Sequence, residues 1–181
     1  MPDFKLIFSE SELETPRFTL THDRAEHPSG VVLDRRIIQN PPAAVMLARR
    51  DDESVLLIRQ YRLPTRESLW ELPAGRCEEG EDPLETARRE LAEETGYRAR
   101  RWEKLLNFYP APGFASELMH CYLAEDLDEG DAAPEPYELI EARWFARDEA
   151  LRMVKHGEIR DGKTVATLLY YESFVRSGRQ P

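Results

Sequence analysis

Residues 75–97, GRCEEGEDPLETARRELAEETGY, crowd acidic side chains into one short stretch. Asp82 precedes a proline and stands three residues before Glu85, so a carboxylate N-cap, a first-turn proline and a capping-box glutamate coincide. Gly96 supplies a stop signal at the other end. The stretch therefore predicts a helix over about residues 83–95.

One face of this helix carries three glutamates. Glu90, Glu93 and Glu94 are related as i, i+3 and i+4, so they project from one patch. Such a patch is either a solvated acidic face or a site for a hard cation such as Mg²⁺, which takes carboxylates, backbone carbonyls and waters as ligands. The preceding loop, ELPAGRCEEGE, favours the cation, because its backbone carbonyls around Ala74 can approach the patch.

Composition limits the class of protein. A chain of 181 residues, 41% hydrophobic and 33% charged, predicts one globular domain with a core. The net charge of −10 argues against binding nucleic acid through its phosphates. The sequence has no run of eighteen apolar residues, no signal-peptide layout and no cysteine spacing typical of zinc sites or disulfide frameworks. We expect a cytoplasmic protein that binds neither nucleic acid nor a membrane.

The order of predicted elements indicates an α/β (α+β) fold. Short strands fill residues 1–40, and the two prolines that follow mark the boundary of an N-terminal antiparallel β element. Residues 41–181 alternate strands with helices, which predicts a mixed sheet covered on both faces. Within this main domain, the apolar runs 43–48 and 55–61 are typical of an antiparallel hairpin.

Two helices are predicted at the C-terminal end of the chain. Asp148 is a candidate N-cap for the first of them. The second covers about residues 161–176, with apolar side chains at helical spacing.

The acidic stretch also carries a motif at fixed spacing. Its members are Gly75, Glu81, Arg89, Glu90, Leu91, Glu93, Glu94 and Gly96. This spacing resembles the complete Nudix box of the hydrolases that cleave nucleoside diphosphates linked to another moiety. Tyr97 stands where the family usually has an aliphatic residue, and an aromatic ring can fill the same apolar site. The resemblance implies a Nudix-type α/β/α sandwich.

The resemblance also implies a metal site for Mg²⁺ or Mn²⁺. Glu90 and Glu94 would be the main ligands, and the carbonyl of Ala74 a further one. Glu93 would be either a ligand or the catalytic residue that orients a water.

Four further positions of the motif are expected to support the site. Arg89 and Glu81 would form an ion pair that holds the loop to the helix. Gly75 and Gly96 would serve backbone conformation.

The base that receives a proton from water is expected in a second acidic segment. Residues 126–141, DLDEGDAAPEPYELIE, resemble the mobile loop that delivers a glutamate in the ADP-ribose pyrophosphatases. Glu138 is the first candidate and Glu135 the second. The alternative is that both are solvated loop charges.

The flanks of the motif resemble the ADP-ribose pyrophosphatase and nucleoside-diphosphate-sugar branch. The segments concerned are WELPAG, RQYRLP, FYPAPGFASE and GEIRDGKTVATLLYY. This likeness implies hydrolysis of ADP-ribose to AMP and ribose 5-phosphate, with related sugar nucleotides as lesser substrates. The alternatives are another nucleotide-sugar or oxidised-nucleotide pyrophosphohydrolase, and a non-catalytic sensor of ADP-ribose.

The same likeness suggests contacts to a small-molecule nucleotide. Glu117 and Gly113 lie where the branch contacts its substrate, and a glutamate suits sugar hydroxyls because it accepts two hydrogen bonds. Arg62 is either a phosphate contact or a surface charge. Phe18 either stacks on adenine or packs in the core. Because N-terminal strands of this branch commonly complete the partner's pocket, we also predict a homodimer.

Overall fold

The computed structural model describes residues 3–134 and 139–178 of the chain. The first strands are β1 (Lys5–Glu14), β2 (Thr19–Glu26), β3 (Val32–Gln39), β4 (Ala43–Ala48), β5 (Val55–Arg62), β6 (Glu67–Glu71) and β7 (Ala74–Arg76). Helix α1 (Pro83–Thr95) is followed by β8 (Tyr97–Phe108), β9 (Met119–Glu129) and β10 (Glu141–Phe145). The chain then forms α2 (Arg147–His156), α3 (Gly162–Tyr170) and a π-helical turn (Tyr171–Val175).

These elements form two compact units. The first unit holds the described residues up to Pro42 together with Tyr109–Leu118. The second holds Ala43–Phe108 and the described residues from Met119 onward.

The first unit is a three-stranded antiparallel sheet in the order β1-β2-β3. Every residue of β1 is exposed. The segment 109–118 is attached to β3, because the N–H of Ile38 donates to the carbonyl of Phe114 (2.8 Å) and the N–H of Ser116 donates to the carbonyl of Ile38 (3.0 Å).

The second unit contains two sheets, ordered β7-β4-β9-β8 and β10-β5-β6. The predicted hairpin of residues 43–48 with 55–61 is therefore wrong. Strand β4 pairs with β9 in parallel and with β7 in antiparallel register, so both of its edges are occupied. Strand β5 has no free edge to pair with there, and it pairs with β6 and β10 instead.

Helices cover the sheets of the second unit from both sides. Ala87 and Leu91 of α1 pack with Met46 and Leu56 in one apolar cluster. Side chains of α2 and α3 pack on the opposite side in a second cluster. The alternation of residues along β4 between the two clusters explains why all six of them are buried. The predicted mixed sheet with helices on both faces is confirmed.

The C-terminal helices differ slightly from prediction. The N-cap of α2 is Ala146, and Asp148 lies inside the first turn, where the helix dipole favours a carboxylate. Helix α3 begins after Asp161, whose side chain accepts from the N–H of Thr164, and its last part continues as the π-helical turn. Among the helices of residues 3–134 and 139–178, none has the length and apolar character needed to cross a membrane.

Candidate active site

Helix α1 has the boundaries that the sequence predicts. The carboxylate of Asp82 accepts a hydrogen bond from the N–H of Leu84 (2.8 Å), and Pro83 occupies the first turn. Ala87 and Leu91 are fully buried and hold the helix on the sheet. The adjacent, acidic face of α1, formed by Glu90, Glu93 and Glu94, therefore has a fixed position.

The three glutamates differ in exposure and in contacts. Glu94 is buried, and its Oε2 accepts a hydrogen bond from the backbone N–H of Ala74 (3.1 Å). Glu90 is mostly covered, whereas 46% of the Glu93 side chain is exposed. The exposure of the three carboxylates therefore increases from the buried Glu94 to the partly exposed Glu93.

Gly75 leaves room for the Glu90 side chain, which lies against it. A Cβ atom at position 75 would be 1.9 Å from Cδ of Glu90, so the Glu90 side chain would have to move away. The requirement is close approach, not an unusual backbone angle. This feature was missed in the sequence, where Gly75 was expected to serve backbone conformation.

Gly96 is needed for two reasons at the end of α1. Its φ of 78° lies in the left-handed region. A Cβ there would also lie 2.3 Å from the carbonyl oxygen of Gly130. The N–H of Gly130 donates to the carbonyl of Gly96 (3.0 Å), so strand β9 leaves the sheet beside the end of the helix.

Arg89 connects the loop before α1 with the acidic face. Its Nε and Nη2 donate to the two carboxylate oxygens of Glu81 (3.0 and 2.9 Å). Its Nη1 donates to Glu90 (2.7 Å) and to Glu93 (3.1 Å). The hydrogen bonds from Arg89 lower the pKa of Glu81 from 4.5 to about 2.

The acidic face suits a divalent cation by its chemistry. Carboxylates and carbonyls are the ligands that Mg²⁺ prefers, and the absent side chain at Gly75 leaves Glu90 room beside strand β7. In residues 3–134 and 139–178, however, no three His, Cys, Asp or Glu side chains already converge as a metal site. Arg89 bridges Glu90 and Glu93 here, so cation binding requires these two side chains to leave the guanidinium.

Tyr97 stands where the motif usually has an aliphatic residue. Its ring fills this apolar position, and its hydroxyl is hydrogen-bonded. The ring is buried, and its hydroxyl accepts from Nε1–H of Trp144 (3.1 Å) and from Nη2 of Arg50 (2.9 Å). The aromatic residue therefore adds polar contacts that an aliphatic one lacks.

Arg62 is bound to a buried carboxylate. Its Nε and Nη2 donate to the two oxygens of Glu71 (2.8 and 2.6 Å). Burial alone would raise the pKa of Glu71, but Arg62 and Lys163 together lower it. Glu71 and Lys163 were not predicted as site residues. The available signal was a charged residue, Glu71, inside the otherwise apolar stretch of residues 69–72, LWEL.

The other predicted substrate contacts lie in the first unit. Phe18 is half-buried, and its backbone closes a turn with Thr15, whose Oγ1 accepts from the N–H of Phe18 (3.0 Å). Gly113 is exposed in a turn, with open space where a Cβ would lie. Glu117 is half-buried and follows the attachment of Ser116 to strand β3.

The candidate bases Glu135 and Glu138 lie outside the described residues. Shortly before them, the chain is bound to helix α1, because the N–H of Ala133 donates to the backbone carbonyl of Glu93 (2.9 Å). This contact had no signal in the sequence.

Comparison with known proteins identifies the family. The NUDIX domain matches residues 39–168. A methanol dehydrogenase activator of Bacillus methanolicus is 36% identical over 174 residues, covering 92% of this chain and 94% of that protein. An ADP-ribose pyrophosphatase of Bacillus subtilis is 38% identical over 170 residues, covering 93% and 92%.

A further relative acts on a different nucleotide sugar. It is a GDP-mannose pyrophosphatase of Citrobacter koseri, 36% identical over 168 residues and covering 85% of this chain and 86% of that protein. Among solved structures, that of an ADP compounds hydrolase has the same fold, with a TM-score of 0.84 at 22% identity over 98% of this chain and 97% of that one.

Proposed function

Because the chain belongs to the Nudix family and is a hydrolase of that family, we propose that it cleaves the diphosphate bond of ADP-ribose to give AMP and ribose 5-phosphate, with Mg²⁺ or Mn²⁺ as cofactor. The observation that carries the proposal is the acidic face of α1, where Glu90 lies against Gly75 and Glu94 against Ala74. The ADP-ribose pyrophosphatase of Bacillus subtilis supports this choice of substrate.

In this proposal the acidic face of α1 holds the cation. Glu90, Glu94 and the carbonyl of Ala74 would bind it, with Glu93 as a further ligand or as the residue that orients the attacking water. When bound, the ion offsets the negative charge of the diphosphate and makes water more acidic. Arg89 holds Glu90 and Glu93 in place until then.

Glu93 is proposed to orient the attacking water, and Glu138 or, as second candidate, Glu135 to act as the base. Glu93 is the most exposed of the three glutamates and is therefore able to turn toward a water. Glu138 and Glu135 follow Ala133, whose N–H is bound to the backbone carbonyl of Glu93. This attachment supports one of them as the base that receives the proton from water.

Four residues are proposed to contact the nucleotide. Arg62 would donate to the diphosphate. Glu117 would accept from ribose hydroxyls beside the backbone of Gly113, and Phe18 would stack on adenine. These roles rest on the resemblance to the branch and are tested by substitution.

A homodimer is proposed from the first unit. Strand β1 is exposed along its length, and it carries apolar side chains that a second copy would cover. These are Leu6, Ile7, Phe8 and Leu13. Location in the cytoplasm stays a prediction from the sequence.

The test of the proposed function is a substrate panel with Mg²⁺ and with Mn²⁺. Released AMP or sugar phosphate is detected through alkaline phosphatase, which leaves substrates with a doubly esterified diphosphate untouched. For a nucleoside triphosphate, which alkaline phosphatase attacks, released pyrophosphate is measured through inorganic pyrophosphatase instead. The panel contains ADP-ribose, GDP-mannose, ADP-glucose, NADH and an oxidised nucleoside triphosphate. We expect ADP-ribose to have the highest kcat/KM, and Glu94→Gln to abolish the signal.

Other outcomes of the panel select the alternatives. A higher kcat/KM for GDP-mannose would favour the second candidate function, which the Citrobacter koseri relative supports. A higher kcat/KM for the oxidised nucleotide would identify an oxidised-nucleotide pyrophosphohydrolase instead of either sugar-nucleotide hydrolase. Binding of ADP-ribose by calorimetry without turnover would identify a sensor.

A further inference from the structure

A carboxylate with two cationic partners lies at the end of strand β6. The Glu71 side chain is 1% exposed. Arg62 binds both of its oxygens, and Nζ of Lys163 also contacts Oε2. Lys163 itself is only 9% exposed, whereas Arg62 is 38% exposed. The buried lysine is therefore the permanent partner, and the arginine is the one that reaches solvent.

The first turn of α3 holds this arrangement in place. Asp161, the N-cap of α3, contacts Nζ of Lys163 (3.0 Å) and accepts from the N–H of Thr164 (3.0 Å). Oγ1 of Thr164 in turn accepts from the N–H of Leu72 (2.8 Å). The residue next to Glu71 is thus fixed to the same turn that carries Lys163.

The guanidinium of Arg62 has donors left for another ligand. Glu71 takes Nε and Nη2, and among the described residues nothing accepts from Nη1. The hydrogen bonds to Glu71 raise the pKa of Arg62, and the charges of Asp161 and Glu94 act in the same direction. Glu71 stands three residues before Ala74, whose N–H donates to Glu94, so the strand end that binds Arg62 lies beside the acidic face.

We propose that Lys163 and Glu71 are positioning residues that hold Arg62 as a fixed anion contact for the substrate diphosphate. The inference rests on the proposed function, because it requires that a diphosphate binds beside the acidic face. Glu71 fixes the plane of the guanidinium by its two-oxygen contact. Lys163 supplies a second positive charge to Glu71. Because Glu71 is shared by two cations, its negative charge does not fully offset the positive charge of Arg62.

The role of Lys163 follows from the charges around Glu71. With Lys163 present, the carboxylate is shared by two cations, and the charge of Asp161 lies at the positive end of α3. Without it, the buried Glu71 has a single compensating cation and holds Arg62 more strongly. Arg62 then has less attraction left for a phosphate group.

A double-mutant cycle with Arg62 tests this coupling. Binding of ADP-ribose is measured by calorimetry in EDTA, where hydrolysis is absent, for wild type, Lys163→Met, Arg62→Ala and the double variant. We expect Lys163→Met to weaken binding about tenfold and to have less than about a twofold effect when Arg62 is already alanine. Lys163→Arg should restore most of the affinity, because it keeps the charge.

Two further readouts separate positioning from a structural role. Mn²⁺ affinity should be the same in Lys163→Met as in wild type, because Lys163 contacts none of the three glutamates of the acidic face. In turnover, KM should rise more than kcat falls. A variant with a lower melting temperature but unchanged affinity would overturn the proposal, as would an equal loss of affinity with and without Arg62. Lys163→Gln replaces the methionine variant if that variant does not fold.

The cycle also distinguishes this inference from the proposed function. If wild type does not bind ADP-ribose, the same four proteins are titrated with inorganic pyrophosphate, the group that all candidate substrates share. If Lys163→Met weakens pyrophosphate binding only when Arg62 is present, Arg62 is supported as an anion contact. ADP-ribose is then rejected as the substrate. Binding of neither compound by wild type would overturn this inference.

Discussion

The backbone N–H of Ala74 donates a 3.1 Å hydrogen bond to Oε2 of Glu94, which joins the loop before α1 to its acidic face. Ala74 also pairs with Val45 of strand β4, in the centre of the main sheet. The buried carboxylate of Glu94 is therefore positioned by the sheet and not only by its own helix. This arrangement brings a backbone segment and three glutamates together at one place.

Substituting Gly75 should damage the acidic face while leaving the fold in place. In Gly75→Ala the new methyl group would overlap the carboxylate of Glu90, which must move away. Displacing a reacting group by about 1 Å can cost about 100-fold in rate, and we expect a loss of that order in kcat/KM. The measurement is turnover of the best substrate of the panel, with circular dichroism to check folding.

Gly162→Ala is the matched control for this variant. Gly162 begins helix α3, and open space surrounds the position of its missing Cβ. Its activity should stay within about twofold of wild type, since alanine is favoured over glycine in a helix. Equal activity of the two variants would show that Glu90 does not need its place against residue 75.

The ion pair of Glu81 with Arg89 predicts a dependence of stability on acid. The pKa of Glu81 is about 2 in the folded chain, below its ordinary 4.5. Because the folded value is the lower one, the contribution of Glu81 is complete above about pH 4.5 and is lost as the pH falls toward about 2. Urea unfolding at about pH 7 and about pH 3.5 should show a smaller difference in Glu81→Gln than in wild type.

The exposed Glu79 of the same loop provides the comparison. Glu79→Gln should retain the wild-type difference between the two pH values. If Glu81→Gln also retains it, the hydrogen bonds from Arg89 do not contribute to stability in solution.

The hydroxyl of Tyr97 should stabilise the end of α1. Tyr97→Phe removes the acceptor for Trp144 and Arg50 and leaves the indole N–H without its partner. We expect a loss of about 1–2 kcal/mol in the free energy of unfolding, measured by urea denaturation. Tyr61→Phe, at an exposed position, should change it by less than about 0.5 kcal/mol. Equal stability of both variants would contradict the assignment.

Dimer formation should depend on strand β1. Phe8 is exposed on this strand, and an aspartate there would place a charge in the proposed contact between copies. Light scattering should give a dimer for wild type at micromolar concentration and a monomer for Phe8→Asp. A wild-type monomer with full activity would remove the proposal.

Local sequence signals predicted helix α1 correctly. The strand pairing was not predicted, because it depends on contacts between distant parts of the chain. Asp82, Pro83 and Gly96 define the helix ends through interactions within a few residues, so they are visible in the sequence. The pairing of β4 with β9 instead of β5 depends on which edges are free, a property of the whole sheet. No local pattern reports it.

The same limit applies to the candidate site. The spacing of the glutamates follows from helix periodicity, and their grouping was predictable. The contact of Glu71 with Lys163 joins residues far apart in the chain, as does the contact of Ala133 with Glu93. The need for glycine at position 75 depends on where the Glu90 side chain lies, which only the folded structure defines.

The proposed function requires that the acidic face of α1 binds a divalent cation. The most direct measurement is a calorimetric titration with Mn²⁺ of wild type, Glu94→Gln and Glu85→Gln. Glu85 lies on the same helix, with 64% of its side chain exposed, and is the matched control. We predict that Glu94→Gln weakens binding at least about tenfold while Glu85→Gln binds as wild type does. Equal affinity in all three proteins would show that Glu94 does not hold the cation.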